Sequence, residues 1–468
     1  MQEQSTKIEL LWIGIAWILM CVPAFWILPA LDDWGTSAPI AHFSWDLLRP
    51  GFFWRPIEKL NRVFLGHFPG ALPFYPHLVA VLGHALSGWM VYQLCKKLGA
   101  SSRLGVISSI VFLVSPAVAA AVWSVDSAVQ TWSTACGLSA VWAYMLRNRR
   151  QAFGIWLLMS FLALFWKESG VVWFFAAPLF RELQLGRETG TVGVWRRLCA
   201  GIGVACIAMV AYFAFRWGFA RSFSLGGDDR YSLLLNPAIW IRNFSMLVGV
   251  AATTIDTIAI FGPSPRYLVG AMSIIFSIPL LGFLFVWAVR NRSLRKGVIS
   301  LMAFFVVLGP HVLLAKVSEM YAHPIVAALA ILLVVGGFGT LNSGWHKGAK
   351  IALFLFLVGA VFVDAHKWFV MMETGRKADV VGRTIAEHTG DSPPASICIV
   401  RKSPTKKFGY SVFSAPPGPA SQWGVAARQH WGWEHQVKIF HEETIAKCPQ
   451  DSERIVDLAM DGAVQFIR

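Results

Sequence analysis

The chain has 468 residues, of which 56% are hydrophobic and 14% charged, against roughly 25% charged in an ordinary soluble domain. That composition excludes a soluble globular protein. The net charge of +15 would suit nucleic acid, but the basic residues stand in short clusters between apolar runs. They read as topology signals, and no nucleic-acid partner is expected.

The first apolar run, Ile8 to Ala30, is too long for a signal-peptide core and is followed at once by two acids, so it reads as a first span. Further runs lie at approximately 76–95, 103–122, 128–146, 151–166, 170–183, 198–217, 268–289, 298–315, 322–341 and 350–370. Since roughly 20 apolar residues cross the hydrocarbon core as a helix, they predict an all-α polytopic membrane protein with about 11 transmembrane helices. An N-terminus in the cytoplasm puts Lys96-Lys97-Arg103, Arg147 to Arg150, Arg181 to Arg197, Arg290 to Lys296 and Lys347 to Lys350 on the inner side. Long outer loops then run over 31–75 and 218–267. Pro237 to Gly262 is apolar but carries Arg242 and Asp256, and the charge rule favours an interfacial or re-entrant segment over a crossing.

Residues 1–370 thus form a membrane core, and 371–468 a different kind of sequence outside it. The tail contains a helix-like stretch (Glu373 to His388), a strand-like Ser396 to Val400, a Pro/Gly-rich loop (Ser414 to Pro419) and a helical end (Ser452 to Met460). This predicts a small α/β domain on the outer face. Five cysteines lie in or at the ends of apolar runs, where a lone Cys is usually a small buried hydrophobe. Cys398 and Cys448, in the tail, form a disulfide if that tail faces an oxidising compartment.

Four polar interruptions stand out. Asp32-Asp33-Trp34 follows the first span, so two carboxylates sit at the outer surface, either as a helix-end anchor or as groups able to take a proton or hold a divalent cation. Trp54-Arg55-Pro56, with Lys59, Asn61 and Arg62, mixes aromatic and cationic groups in the same loop, as an interfacial helix or a phosphate site would. Lys167-Glu168 and Glu319-Met320-Tyr321 break two later outer turns. His77 and His84 share a face of the second span, a weak metal signal. In the predicted topology the four interruptions all lie at one membrane boundary, and ionisable groups converging at one depth argue for a site.

In order, Leu31-Asp32-Asp33-Trp34, Trp54-Arg55-Pro56, Pro76-His77-Leu78-Val79 with His84, Ser115-Pro116 to Trp123-Ser124, Lys167-Glu168-Ser169 and Glu319-Met320-Tyr321 resemble the motifs of polytopic GT-C-fold glycosyltransferases. The likeness is to the membrane core of the transmembrane, TPR-containing O-mannosyltransferases and their bacterial relatives, over roughly residues 10–340. Ser115-Pro116 replaces their His-Pro, Met320 replaces the Arg of Glu-Arg-Tyr, and no TPR array follows. The resemblance implies a transferase moving a sugar from a polyprenyl-phosphate donor to an envelope glycan, lipid or protein acceptor at the outer face of the plasma membrane. It makes Asp33 or Asp32 the catalytic base, or a ligand of Mg2+ or Mn2+ in branches that use one. Arg55, Lys167, Glu168, Arg266 and His77 would bind the donor phosphate and lipid, with Trp34, Trp54, Glu319 and Tyr321 in support. The alternative is a multi-pass transporter or flippase for a lipid-linked or anionic substrate.

Overall fold

The computed structural model describes residues 2–28, 43–50, 54–66, 74–185, 191–220, 235–261, 267–290, 294–315, 317–336, 343–389, 396–400, 438–442, 445–450, 452, 454–458 and 464–467. Helices dominate the described residues, and where it is described each apolar run seen in the sequence falls largely on helix. In chain order they are α1 (Gln2–Cys21), continued by a 3-10 turn Val22–Trp26, the amphipathic α2 (Pro56–Gly66), α3 (Phe74–Lys97), α4 (Ser102–Leu113) and α5 (Ala119–Trp123). Then come α6 (Ala128–Tyr144), α7 (Arg149–Trp166), α8 (Val172–Leu185), α9 (Thr191–Ala220), α10 (Pro237–Ala252), α11 (Thr257–Phe261), α12 (Tyr267–Arg290), α13 (Leu294–Val312), α14 (Ala322–Gly336) and α15 (Ser343–Thr389).

By length and hydropathy alone, four segments of the described chain can cross a membrane unaided: Ile8–Trp26, Phe74–Lys97, Val192–Phe219 and Lys350–Thr384. A fifth arises if α4 and the Pro116–Trp123 segment, bent by 49° to one another, act as one broken span. The bend falls at Ser115-Pro116, where the pyrrolidine ring cannot continue the hydrogen-bond ladder. The third expected span is therefore two helices. The awkward Pro237 to Gly262 segment is likewise interrupted: α10 ends at Ala252, an extended stretch follows, and α11 begins at Thr257. Asp256, in that break, is fully buried.

The core sits among α3 to α8, where Trp123, Trp156, Trp173, Phe112 and Phe174 are almost wholly enclosed. Large apolar side chains such as Leu11, Leu19, Ile207, Val210, Phe354 and Val361 point outward instead, as they do where hydrocarbon replaces water. Cys21, Cys95 and Cys136 are buried, but Cys199 and Cys206 lie exposed on α9. For those two the expectation of burial fails, because α9 turns that face away from the protein.

Beyond α15 the described strands β1 (Ser396–Val400), β2 (Lys438–Glu442), β3 (Arg454–Leu458) and β4 (Val464–Phe466) form a sheet in the order β2-β1-β3-β4. β1 is parallel to β2 and to β3, while β3 and β4 are antiparallel. The expected strand at 396–400 is present. The expected helical end at Ser452 to Met460 is corrected: Arg454–Leu458 is a strand, since pairing with the buried β1 outweighs a short and ambiguous local pattern. Cys398 of β1 and Cys448 form a disulfide, with Cα atoms 5.8 Å apart. The Glu373 to His388 helix is the end of α15, and His388 stacks on Phe466 of β4 at 3.6 Å. Ser414 to Pro419 lies outside the described residues.

Candidate functional site

Trp54 and Arg55 lead into α2, whose first residue, Pro56, has the fixed φ that a helix start wants. The Trp54 indole donates to the Leu48 carbonyl at 2.9 Å and stacks on Tyr212 and Phe215 of α9, with ring centroids 5.2 and 5.3 Å away. Trp54 is thus an anchor whose packing fixes where Arg55 begins. The Arg55 guanidinium Nε donates to Glu168 Oε2 at 2.8 Å, and Glu58 lies 3.6 Å away on the next turn.

Glu168 belongs to the tight turn between α7 and α8. Lys167 is extended (φ −153°, ψ 138°) and a 3-10 turn, Glu168–Val171, follows. Gly170 permits this geometry: a Cβ there would run into the Ala163 carbonyl of α7. The Lys167 ammonium, buried among the helix ends, lies 4.8 Å over the Tyr321 ring, and Tyr321 stacks on His311 at 4.5 Å. A cation over an aromatic face keeps part of the attraction that water would otherwise supply. Arg55, Lys167, Glu168 and Tyr321, which come from three distant stretches of sequence, therefore meet.

The charges around this point act on one another. Burial opposes the charge of Arg55, but Glu168 and Glu58 more than offset it and raise its pKa. Burial pushes the Glu58 carboxyl up, against the pull of Arg55 and with the help of Asp126. Burial, and then Arg55, brings the Lys167 ammonium down to about 8. Arg55, Arg62 and Lys167 thus face Glu58, Asp126 and Glu168, an arrangement close to neutral.

Glu319 is fully buried in the 3-10 turn before α14 and has different partners. It pairs with the Lys367 ammonium of α15 and accepts the Thr257 hydroxyl, while Lys367 also donates to the Pro116 carbonyl at 2.8 Å. Close by in the fold, His366 Nδ1 lies 2.6 Å from Asp256 Oδ2. Glu319 therefore holds α15 to the Pro116 bend and orients the turn that carries Tyr321. The partners of Glu319 are those of helix pairing. Asp126, Glu58, Lys367 and His366 were not singled out in the sequence as site residues. The signal that could have found Lys367 and His366 is their place in an otherwise apolar run.

His77 Nε2 lies 2.9 Å from the Ile27 carbonyl, so His77 fixes the end of the first helical segment. Trp123 and Trp368 donate to the Met20 and Pro23 carbonyls at 2.7 and 3.0 Å, and Gly375 lets α15 approach the Leu28 backbone. The chain thus enters the stretch with the acidic pair from a clamped point. Asp32, Asp33, Trp34 and Arg266 lie outside the described residues. His84 pairs with His323 at 3.0 Å and with the Leu113 carbonyl at 3.1 Å, a satisfied interior histidine. Among the described residues no group of three His, Cys, Asp or Glu could hold a metal ion. The carboxylates that do meet near Arg55 are answered by cations, so they do not make a metal-binding donor set.

No protein-family model and no curated protein matches the sequence. Solved structures do match the fold. ArnT from Cupriavidus metallidurans bound to undecaprenyl phosphate superposes with a TM-score of 0.55 at 12% identity, covering 97% of this chain and 93% of that one. The same protein in the apo state gives a TM-score of 0.57 at 12% identity over the same shares. The likeness bears out, for the fold, the GT-C-type resemblance read from the motifs.

Proposed function

We propose that the chain is a membrane glycosyltransferase that moves a sugar from a polyprenyl-phosphate donor to an envelope acceptor, a glycan, lipid or protein, at the outer boundary of the plasma membrane. The observation that carries this reading is the meeting of Arg55, Lys167, Glu168 and Tyr321 at helix ends separated widely in sequence. Such a place suits a lipid donor, because the phosphate reaches fixed positive charge while the isoprenoid stays in hydrocarbon. The ArnT fold, bound in one structure to undecaprenyl phosphate, supports the same class of donor. In this reading about eleven helices cross the membrane, the N-terminus is cytoplasmic, and the tail from residue 371 is a small extracytoplasmic domain.

The reaction is an inverting displacement. The acceptor oxygen attacks the anomeric carbon as the bond from that carbon to the phosphate oxygen breaks. Asp33, or its neighbour Asp32, takes the acceptor proton, and polyprenyl phosphate leaves with the bonding electrons. Charge develops on the sugar ring and on the leaving phosphate, so Arg55, Lys167 and Arg266 act where stabilisation counts most. Glu168 and Trp54 position Arg55, His77 fixes the start of the acidic loop, and Glu319 orients the turn of Tyr321.

The test is release of free polyprenyl phosphate from a panel of polyprenyl-phosphate sugars, read by mass spectrometry with a membrane extract as acceptor. Wild type should release it and Asp33→Asn should not, while inserting normally. Retained release in Asp32, Asp33 and double variants would overturn the assignment of the base. A second reading, transport of a lipid-linked or anionic substrate, draws on the buried Lys367–Glu319 and Asp256–His366 pairs. Substrate translocation into sealed vesicles with no bond cleavage would favour it.

A further inference from the structure

The helix pair α7 and α8 has two ends, and only one has been used. Its Lys167 turn carries the site described above. At the far end, about 27 Å away for an 18-residue helix at 1.5 Å per residue, α7, α8 and α9 with the end of α6 border a half-open cavity of about 420 Å³. Arg149, Arg150, Arg181 and Arg197 line it, with Glu182 as the lone carboxylate among the described residues. Glu182 is committed: Arg197 donates to both of its oxygens, at 2.6 and 2.7 Å. Arg149 and Arg181 are close enough for their charges to act on one another, and Arg181 donates to Gln184. Its described lining therefore holds a surplus of positive charge.

Two further features separate it from a plain basic loop. Asn148 caps α7 by accepting from the Arg150 and Gln151 amides, which places Arg149 and Arg150 in the first turn. Cations there oppose the helix dipole, whereas an anion is welcome. The remaining walls are apolar, from Phe153, Pro178, Leu185 and Ala200, with Tyr144 among them. Phe153 is 45% exposed on the outer surface of α7. Guanidinium groups around a space whose wall opens toward hydrocarbon match a phosphate joined to a lipid chain.

We infer that this cavity is a second anion site, opposite the transfer site, that binds the phosphate of an anionic membrane lipid. It is independent of the sugar-transfer reading, since it rests on other residues at the other end of the helix pair.

Native mass spectrometry of the full chain tests it, with phosphatidylglycerol or phosphatidylcholine added to the detergent-purified protein and inorganic phosphate as competitor. Wild type should retain phosphatidylglycerol in preference to phosphatidylcholine, and millimolar phosphate should not displace it. In the double variant R149Q/R181Q the affinity should fall about 25-fold, at about fivefold per arginine. The control K96Q/R103Q, in another basic cluster, should keep wild-type affinity. If the double variant fails to fold, the exposed Arg150→Glu serves, with a loss of at least the same order per charge. Equal retention of the two lipids, displacement by phosphate alone, or unchanged affinity in the folded variants would each overturn the inference.

Discussion

At the scale of the residue, Arg55 and Lys167 carry the sharpest expectations. Arg55 and Glu168 are each less than one-fifth exposed, so truncating one leaves the other charge poorly solvated. Arg55→Ala is expected to lose about 3 kcal/mol of stability and to raise the donor KM, and thermal unfolding in detergent alongside a transfer assay measures both. Arg55→Lys keeps the charge but not the planar fork, and should recover part of the stability and little of the donor affinity. Lys167, brought down to about 8 by burial and Arg55, is cationic below that pH and neutral above it. With lipid phosphate as ligand, kcat/KM should hold a plateau that falls as pH rises through about 8, and fall again in acid where the carboxylate base takes a proton. Lys167→Arg should extend the plateau upward in the pH profile. Phosphate binding would itself favour the charged lysine, so the fall in kcat should come at higher pH than the fall in kcat/KM.

At the scale of the element, the turn that presents Lys167 and Glu168 depends on Gly170. A methyl group there meets the Ala163 carbonyl, so Gly170→Ala should move the turn, reduce transfer strongly and leave membrane insertion intact, as judged by yield and size-exclusion profile. The tail offers a contrasting case. The Cys398–Cys448 link closes a long loop, worth roughly 2–4 kcal/mol, and reductant should open the sheet to proteolysis while α1–α14 stay resistant. Helices were legible in the sequence because continuous apolar runs bounded by Lys, Arg or Pro leave few alternatives. Arg454–Leu458 was not, because five residues of mixed pattern become a strand only when β1 is beside them. The bend at Ser115-Pro116 was visible as a motif but not as geometry, since a proline sets where a ladder breaks and packing sets the angle.

At the scale of the whole molecule, the site was legible as a set of interruptions and illegible as a set of partners. Arg55, Lys167, Glu168 and Tyr321 each broke an apolar or aromatic pattern, which a single sequence reveals. That Arg55 would choose Glu168, or Lys167 the face of Tyr321, depends on how distant helices pack. Glu319 shows the same limit: its partner Lys367 lies on the last long helix, and no local pattern pairs them. The near balance of cations and carboxylates around Arg55 also has a global outcome. Polyprenyl-phosphate binding should be accompanied by proton uptake, with Glu58 and Lys167 as the receiving groups. Calorimetry in buffers of different ionisation enthalpy would detect it, and Glu58→Gln should reduce it to the part that Lys167 takes up near pH 8.

The clamps on Ile27 and Trp54 have one more consequence. The segment bearing Asp32 and Asp33 is tied at both ends, to His77 on one side and to the aromatic stack of α9 on the other. Fixing the ends of a segment lowers the entropy lost when one of its side chains meets a partner, which raises the effective molarity of that side chain. Loosening either tether, by His77→Ala or Trp54→Ala, would dilute the acids without changing their chemistry. The barrier then rises by entropy alone, so the ratio of variant to wild-type rates should stay the same as the temperature is varied.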